Sequence, residues 1–206
     1  MRLAVNATRM ELLRLRKRLS LARRGHKLLK DKQDELMKRF MGLVGQIKEL
    51  RMSVEEELEQ SFKRFLVARS VGGGEVVETA VSLPTRKTNV EVGQQRVMNL
   101  IVPVFELKSE GKVASYGLAS TPAELDTALM AMEKALGRMV ELASKEKALE
   151  LIGDEIARTR RRVNALEYIL IPNLEETIRY VSMKLSEMER GNLTRLMRVK
   201  EIVRER

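Results

Sequence analysis

Apolar residues recur every three and four positions along most of this chain. One set of seam positions holds Leu12, Leu19, Phe40, Ile47 and Val54, and the alternating set holds Leu15, Ala22, Leu29, Leu36, Leu43 and Leu50. His26 and Gln33 are the polar members. A 3–4 repeat sustained over about six heptads predicts a coiled coil rather than a globular amphipathic helix. After Val54 the seam is expected to shift to Leu58, Phe62 and Phe65, which locally unwinds a supercoil. Thr8 and Glu11 form a T-x-x-E capping box that opens the helix. Gly72-Gly73-Gly74 closes it, because successive glycines disfavour helix.

A second helical pattern begins at Thr121-Pro122, a capping residue followed by a proline suited to the first turn, with Glu124 three residues on. Leu125, Leu129, Met132, Leu136 and Met139 carry its seam, which resumes through Leu149, Ile152, Ile156, Val163, Leu166 and Leu170. It continues through Leu174, Ile178, Val181, Leu185 and Met188 towards Leu196, Val199 and Val203. Pro172 lies inside this run and is expected to kink the helix without ending it.

Between the helices the period changes. Residues 75–83 and 97–107 are rich in Val and Ile, and 112–118 is a shorter candidate. Pro84, Gly93 and Ser109-Glu110-Gly111 punctuate them, so a small β-hairpin or three-strand unit is expected, with Pro103 on an edge or at a bulge. The predicted fold is mainly α: a long antiparallel two-helix coiled coil with a small hairpin-containing head. Its parts are a first helix over 1–71, a head over 72–120, and a second helix with a projecting tip over 121–206. If Val71 lies near Pro122, then Phe40 should fall near Gly153 and Leu12 near Val181, each within about one heptad. The second helix is the longer, so its end should overhang Thr8 by a few tens of ångströms.

Composition narrows the functional classes. Of 206 residues 33% are charged and 3% aromatic, which suits long helices better than a compact core. There is no Cys, hence no disulfide or thiolate metal site, and the single His26 cannot build a triad or a metal centre unaided. As a polar seam residue it is expected to set register. The three glycines lack the spacing of a phosphate loop. Glu55-Glu56-Glu57 is expected to be a solvated face, while one of Arg160-Arg161-Arg162 should lie beside the seam. Nothing here forms a catalytic constellation, and no cofactor is expected. No apolar run approaches the roughly 20 residues of a membrane span, and the start lacks a secretory h-region. The net charge is +10, with ten Lys or Arg among the first thirty residues and a second basic cluster over 190–206. Such charge admits a coiled-coil nucleic-acid binder or a structural spacer, although few aromatics are present to stack bases.

Particular stretches resemble one family, the D subunits of the vacuolar/archaeal-type rotary ATPases. The most specific is Thr159-Arg160-Arg161-Arg162-Val163-Asn164-Ala165-Leu166-Glu167, followed by Ile171-Pro172 and Leu174-Glu175-Glu176-Thr177-Ile178. The opening Thr8-Arg9-Met10, the run from Arg24 to Lys32, and the close from Met188 to Lys200 are similar to the family's pattern as well. The resemblance implies a central rotor shaft, itself non-catalytic, turning inside a hexamer of catalytic A and B subunits. It implies a small F subunit on the flank and a socket subunit joining the shaft to the membrane ring. It also implies a cytoplasmic protein, peripheral to the membrane, with no nucleic-acid partner and no membrane insertion of its own. Thr8, Arg9, Met10, Arg190, Arg195, Leu196, Arg198 and Lys200 are then the expected contacts with the catalytic ring.

Overall fold

The computed structural model describes residues 4–82, 84–113, 115–117 and 121–204. Helix α1 runs Arg9–Gly72, α2 Gly74–Ser82, strand β1 Lys87–Val97, β2 Leu100–Glu110 and α3 Ala123–Ala165. A π-turn over Leu166–Leu170 leads into α4, Ile171–Arg204. The chain is mainly α, a long antiparallel two-helix coiled coil with a small two-stranded hairpin. It divides into two compact units, Met1–Leu36 with Ile156–Arg206, and Met37–Glu155.

In the first unit the start of α1 pairs with the end of α3 and with α4. The Glu11 N–H donates to Thr8 Oγ1 at 3.2 Å, as the capping pattern requires. The Thr8 N–H donates to the Asn6 carbonyl, and the Glu11 carboxylate meets Arg14 at 3.5 Å. Leu15, Ala22, Leu174 and Val181 form the core, with Leu12, Leu19, Ile178 and Leu185 packed against it. Leu12 therefore packs against the cluster that holds Val181 and shares a groove with Ser182 and Leu185, consistent with antiparallel pairing. Polar pairs link α1 to the returning chain: Arg9–Glu189 at 2.5 Å, Arg23–Glu175 at 2.7 Å, and the His26 imidazole against the Glu167 carboxylate at 3.3 Å.

Two seam residues of this unit escape an apolar count. Thr159 and Thr177 are almost fully buried. Each presents a methyl group to the seam and must place a hydroxyl. Thr177 Oγ1 donates to the Asn173 carbonyl at 2.6 Å, whereas Thr159 Oγ1 is buried without a partner. The disturbance expected at Pro172 takes the form of the π-turn just before it, where the Ile171 N–H donates to the Leu166 carbonyl. Pro172 has no N–H to give and its ring crowds the carbonyl four residues back, so widening the preceding turn relieves the clash.

In the second unit α1 pairs with α3 in the same antiparallel sense. The Phe40 ring lies 3.6 Å from where a Cβ on Gly153 would sit. Arg51 meets Glu146 at 2.6 Å, and Gly72 faces Pro122 so closely that a Cβ there would fall 2.7 Å from the proline Cδ. The seam past Val54 differs from expectation. Phe62 is 54% exposed, and the buried positions are Ser61 and Ala68. Across from them Ala128 and Ala135 are buried, while Met132 and Met139 stay exposed. Small residues on both helices fill this seam. The Ser61 hydroxyl donates to the Leu58 carbonyl at 2.9 Å, which makes its burial tolerable.

The strand assignments also change. The run 75–83, expected as a strand, has its described residues in the helix Gly74–Ser82, because Val77 and Ala80 at helical spacing pack on Ala68 and Leu125. Gly73, at a φ of 81°, supplies the left-handed residue between the two helices. The first strand is Lys87–Val97, a polar run with Gly93 in its middle opposite Val104, so Gly93 does not interrupt it. The second is Leu100–Glu110, with Pro103 opposite Gln94 in a sheet whose two strands are both edges. The described residues of 112–118 form no strand. Leu83 and Leu118, the ends of two expected strands, lie outside the described residues.

Candidate partner-binding tip

The site begins where α1 starts. Thr8 caps the helix, Arg9 reaches Glu189 on α4, and Met10 is 79% exposed. A shallow groove between the helices is lined here by Arg9, Leu12, Ser182, Leu185 and Glu189. Beyond Glu189, α4 has no α1 residue left to pair with. Its next fifteen or so residues extend roughly 22 Å as helix, and 190–204 are exposed throughout.

That overhang is amphipathic without a partner. Leu193, Leu196, Met197, Val199, Ile202 and Val203 are each more than half exposed. Arg190, Arg195, Arg198, Lys200 and Arg204 share the segment with one acid, Glu201. The Thr194 hydroxyl donates to the Arg190 carbonyl at 3.0 Å. The seam expected through Leu196, Val199 and Val203 therefore exists as a spacing, but nothing among the described residues covers it. The expected contacts are only partly brought together. Thr8 and Arg9 stand beside Glu189, while Arg195, Leu196, Arg198 and Lys200 lie farther along α4. Glu189 lies in the closing stretch singled out in the sequence, but its pairing with Arg9 was not legible there, since it depends on register.

The signature stretch is also a surface. Arg160, Arg161, Arg162 and Asn164 are exposed, and Val163 is buried. Thr159 and Val163 hold the buried seam positions, so Arg160 and Arg162 stand next to the seam in sequence with their side chains exposed. His26 is half-buried against Glu167 on the π-turn, and Pro172 follows that turn. Among the described residues, no helix is long and apolar enough to cross a membrane, and no three acidic, His or Cys side chains converge to hold a metal.

The family model described as the D subunit of ATP synthase matches residues 11–201. The chain belongs to that family. It is 53% identical to the V-type ATP synthase D subunit of Clostridium botulinum strain Langeland, covering 100% of this chain and 98% of the relative. The D subunit of Acetivibrio thermocellus is likewise 53% identical, over 98% of this chain and 92% of the relative. That of Clostridium novyi is 51% identical over 98% and 96%. The resemblance carried by the arginine stretch and the helix ends thus extends along the whole chain. As a member of the D-subunit family, the protein is part of a V-type ATPase and works within that complex.

Proposed function

We propose that the chain is the central rotor shaft of its V-type ATPase, transmitting rotation between the catalytic A and B hexamer and the membrane ion-translocating ring. The observation that supports this most is the overhang of α4, a helix end with apolar and basic side chains that its own chain leaves uncovered. A helix of that kind is completed by a surrounding partner. In this reading residues 190–204 and the start of α1 enter the catalytic ring, with Arg190, Arg195, Leu196, Arg198 and Lys200 facing it. The shaft contributes no catalytic group, and the nucleotide chemistry belongs to the ring. A small F subunit binds its flank, a socket subunit joins it to the membrane ring, and the protein is cytoplasmic and held at the membrane through the complex.

The basic groups of the overhang have two available roles. They can complement the negative end of the α4 dipole, worth about 0.3–1 kcal/mol, or steer assembly onto an acidic ring surface. Replacing Arg190, Arg195 and Arg198 together by Gln separates these. Helicity by circular dichroism should be nearly unchanged, since all three are exposed. Association with the catalytic ring should slow and its dependence on ionic strength should flatten. Unaltered rate and salt response would remove the electrostatic part of the proposal.

A further inference from the structure

The hairpin does not lie flush on its helices. Between its strands and the facing surfaces of α1 and α3, within the Met37–Glu155 unit, is a cavity of about 550 Å3. Small-molecule sites span roughly 300–1,000 Å3 and are mostly apolar. This wall is apolar too, with Leu43, Val102, Val104, Val140 and Ile152 contributing. One lining hydroxyl, Ser144, is already engaged. Ser144 Oγ accepts the Phe105 N–H at 2.9 Å and donates to the Val140 carbonyl at 3.1 Å.

Two glycines line the space, leaving room for a larger side chain to fill it. Gly42 on α1 and Gly137 on α3 both line the cavity, and a Cβ at either would meet nothing within 4 Å. Each sits inside a long helix, where glycine is less favourable than alanine. Neither has the close backbone approach that explains Gly72. The charged groups gather at the rim, where Lys145 pairs with Glu141 at 2.9 Å. An ammonium group has three donors, so Lys145 can serve a second acceptor.

We propose that this cavity binds a small amphiphilic carboxylate, with its hydrocarbon chain beneath the hairpin and its carboxylate on Lys145 at the rim. The inference rests on the cavity alone and stands or falls independently of the shaft reading. Calorimetric titration of the full chain with decanoate, below its micelle concentration, tests it. One saturable site is expected. Decanol, the same chain without the charge, should bind about threefold more weakly, the loss expected for one partly exposed charge pair. Lys145→Gln should lower decanoate affinity to that of decanol and leave decanol unchanged. Gly137→Leu, or Gly42→Leu from the opposite wall, should abolish binding of both, with thermal unfolding confirming that each variant folds. Absence of saturable heat with the unmodified chain overturns the proposal. So does binding that survives in both folded glycine variants, or a decanoate affinity unchanged by Lys145→Gln.

Discussion

Thr159 shows what a single buried hydroxyl does to a coiled-coil seam. Its side chain is fully buried, yet Oγ1 has no hydrogen-bond partner. An unmatched buried polar group forfeits its hydration, at about 1–3 kcal/mol. Thr159→Val keeps the β-branched shape and removes the hydroxyl. It should raise stability by about 1 kcal/mol, read as a higher denaturation midpoint with an unchanged m-value. A lower midpoint would mean that the hydroxyl is satisfied in solution. Tyr116 poses the opposite case, because its hydroxyl donates to Asp126 and is engaged. Burial first, and that hydrogen bond second, push its phenol up to about 12. The polar seam members were legible only in part. Leu and Ile at 3–4 spacing announce a seam, whereas Thr159, Thr177 and Ser61 do so only if their small apolar surface is counted. Phe62 misled for the converse reason: a large ring suggests a core, but Phe62 is exposed and Ser61 beside it takes the buried position.

At the scale of elements, the two long helices follow directly from their pattern, and the antiparallel register seen in Phe40 beside Gly153 was available from matching the helix ends. The segment between them was harder to anticipate. The Val-rich run 75–82 looks like a strand, but Val77 and Ala80 gain more by packing as a helix on Ala68 and Leu125. The true first strand, Lys87–Val97, is almost wholly exposed and so lacks the inward alternation that marks a strand. Arg86 ties its entry to α3 by meeting Glu133 at 2.5 Å. The hydrogen bond from Arg86 holds the Glu133 carboxyl below its ordinary 4.5, with burial opposing. A carboxylate whose folded pKa is depressed supports the fold above its unfolded value, and that support disappears as pH falls through the folded pKa. The Phe105 amide, bonded to Ser144, should therefore shift in NMR spectra with a midpoint below 4.5, and Glu133→Gln should abolish that transition. A midpoint above 4.5, or a transition that persists in the variant, would dissociate the hairpin from this ion pair.

For the whole molecule, the family was legible because its signature joins buried seam residues such as Thr159 and Val163 to exposed ones, Arg160, Arg161, Arg162 and Asn164, which packing alone would not specify. Arg160, Arg161 and Arg162 lie outside the seam, and the overhang of α4 leaves six apolar side chains in solvent. Both features point outward, to partners. Which residues those partners touch was not legible, since contact depends on surfaces the sequence does not contain. The rotary claim is tested most directly by fixing the overhang to the ring that surrounds it. The chain has no cysteine, so Arg195→Cys introduces a unique thiol. It can be paired with a cysteine placed on the inner surface of one catalytic subunit in the assembled complex, and ATP turnover measured in the oxidised and reduced states. The account predicts that turnover stops on disulfide formation and returns on reduction. Undiminished turnover in fully cross-linked complexes would show that the chain does not turn within the ring, and would contradict the shaft function.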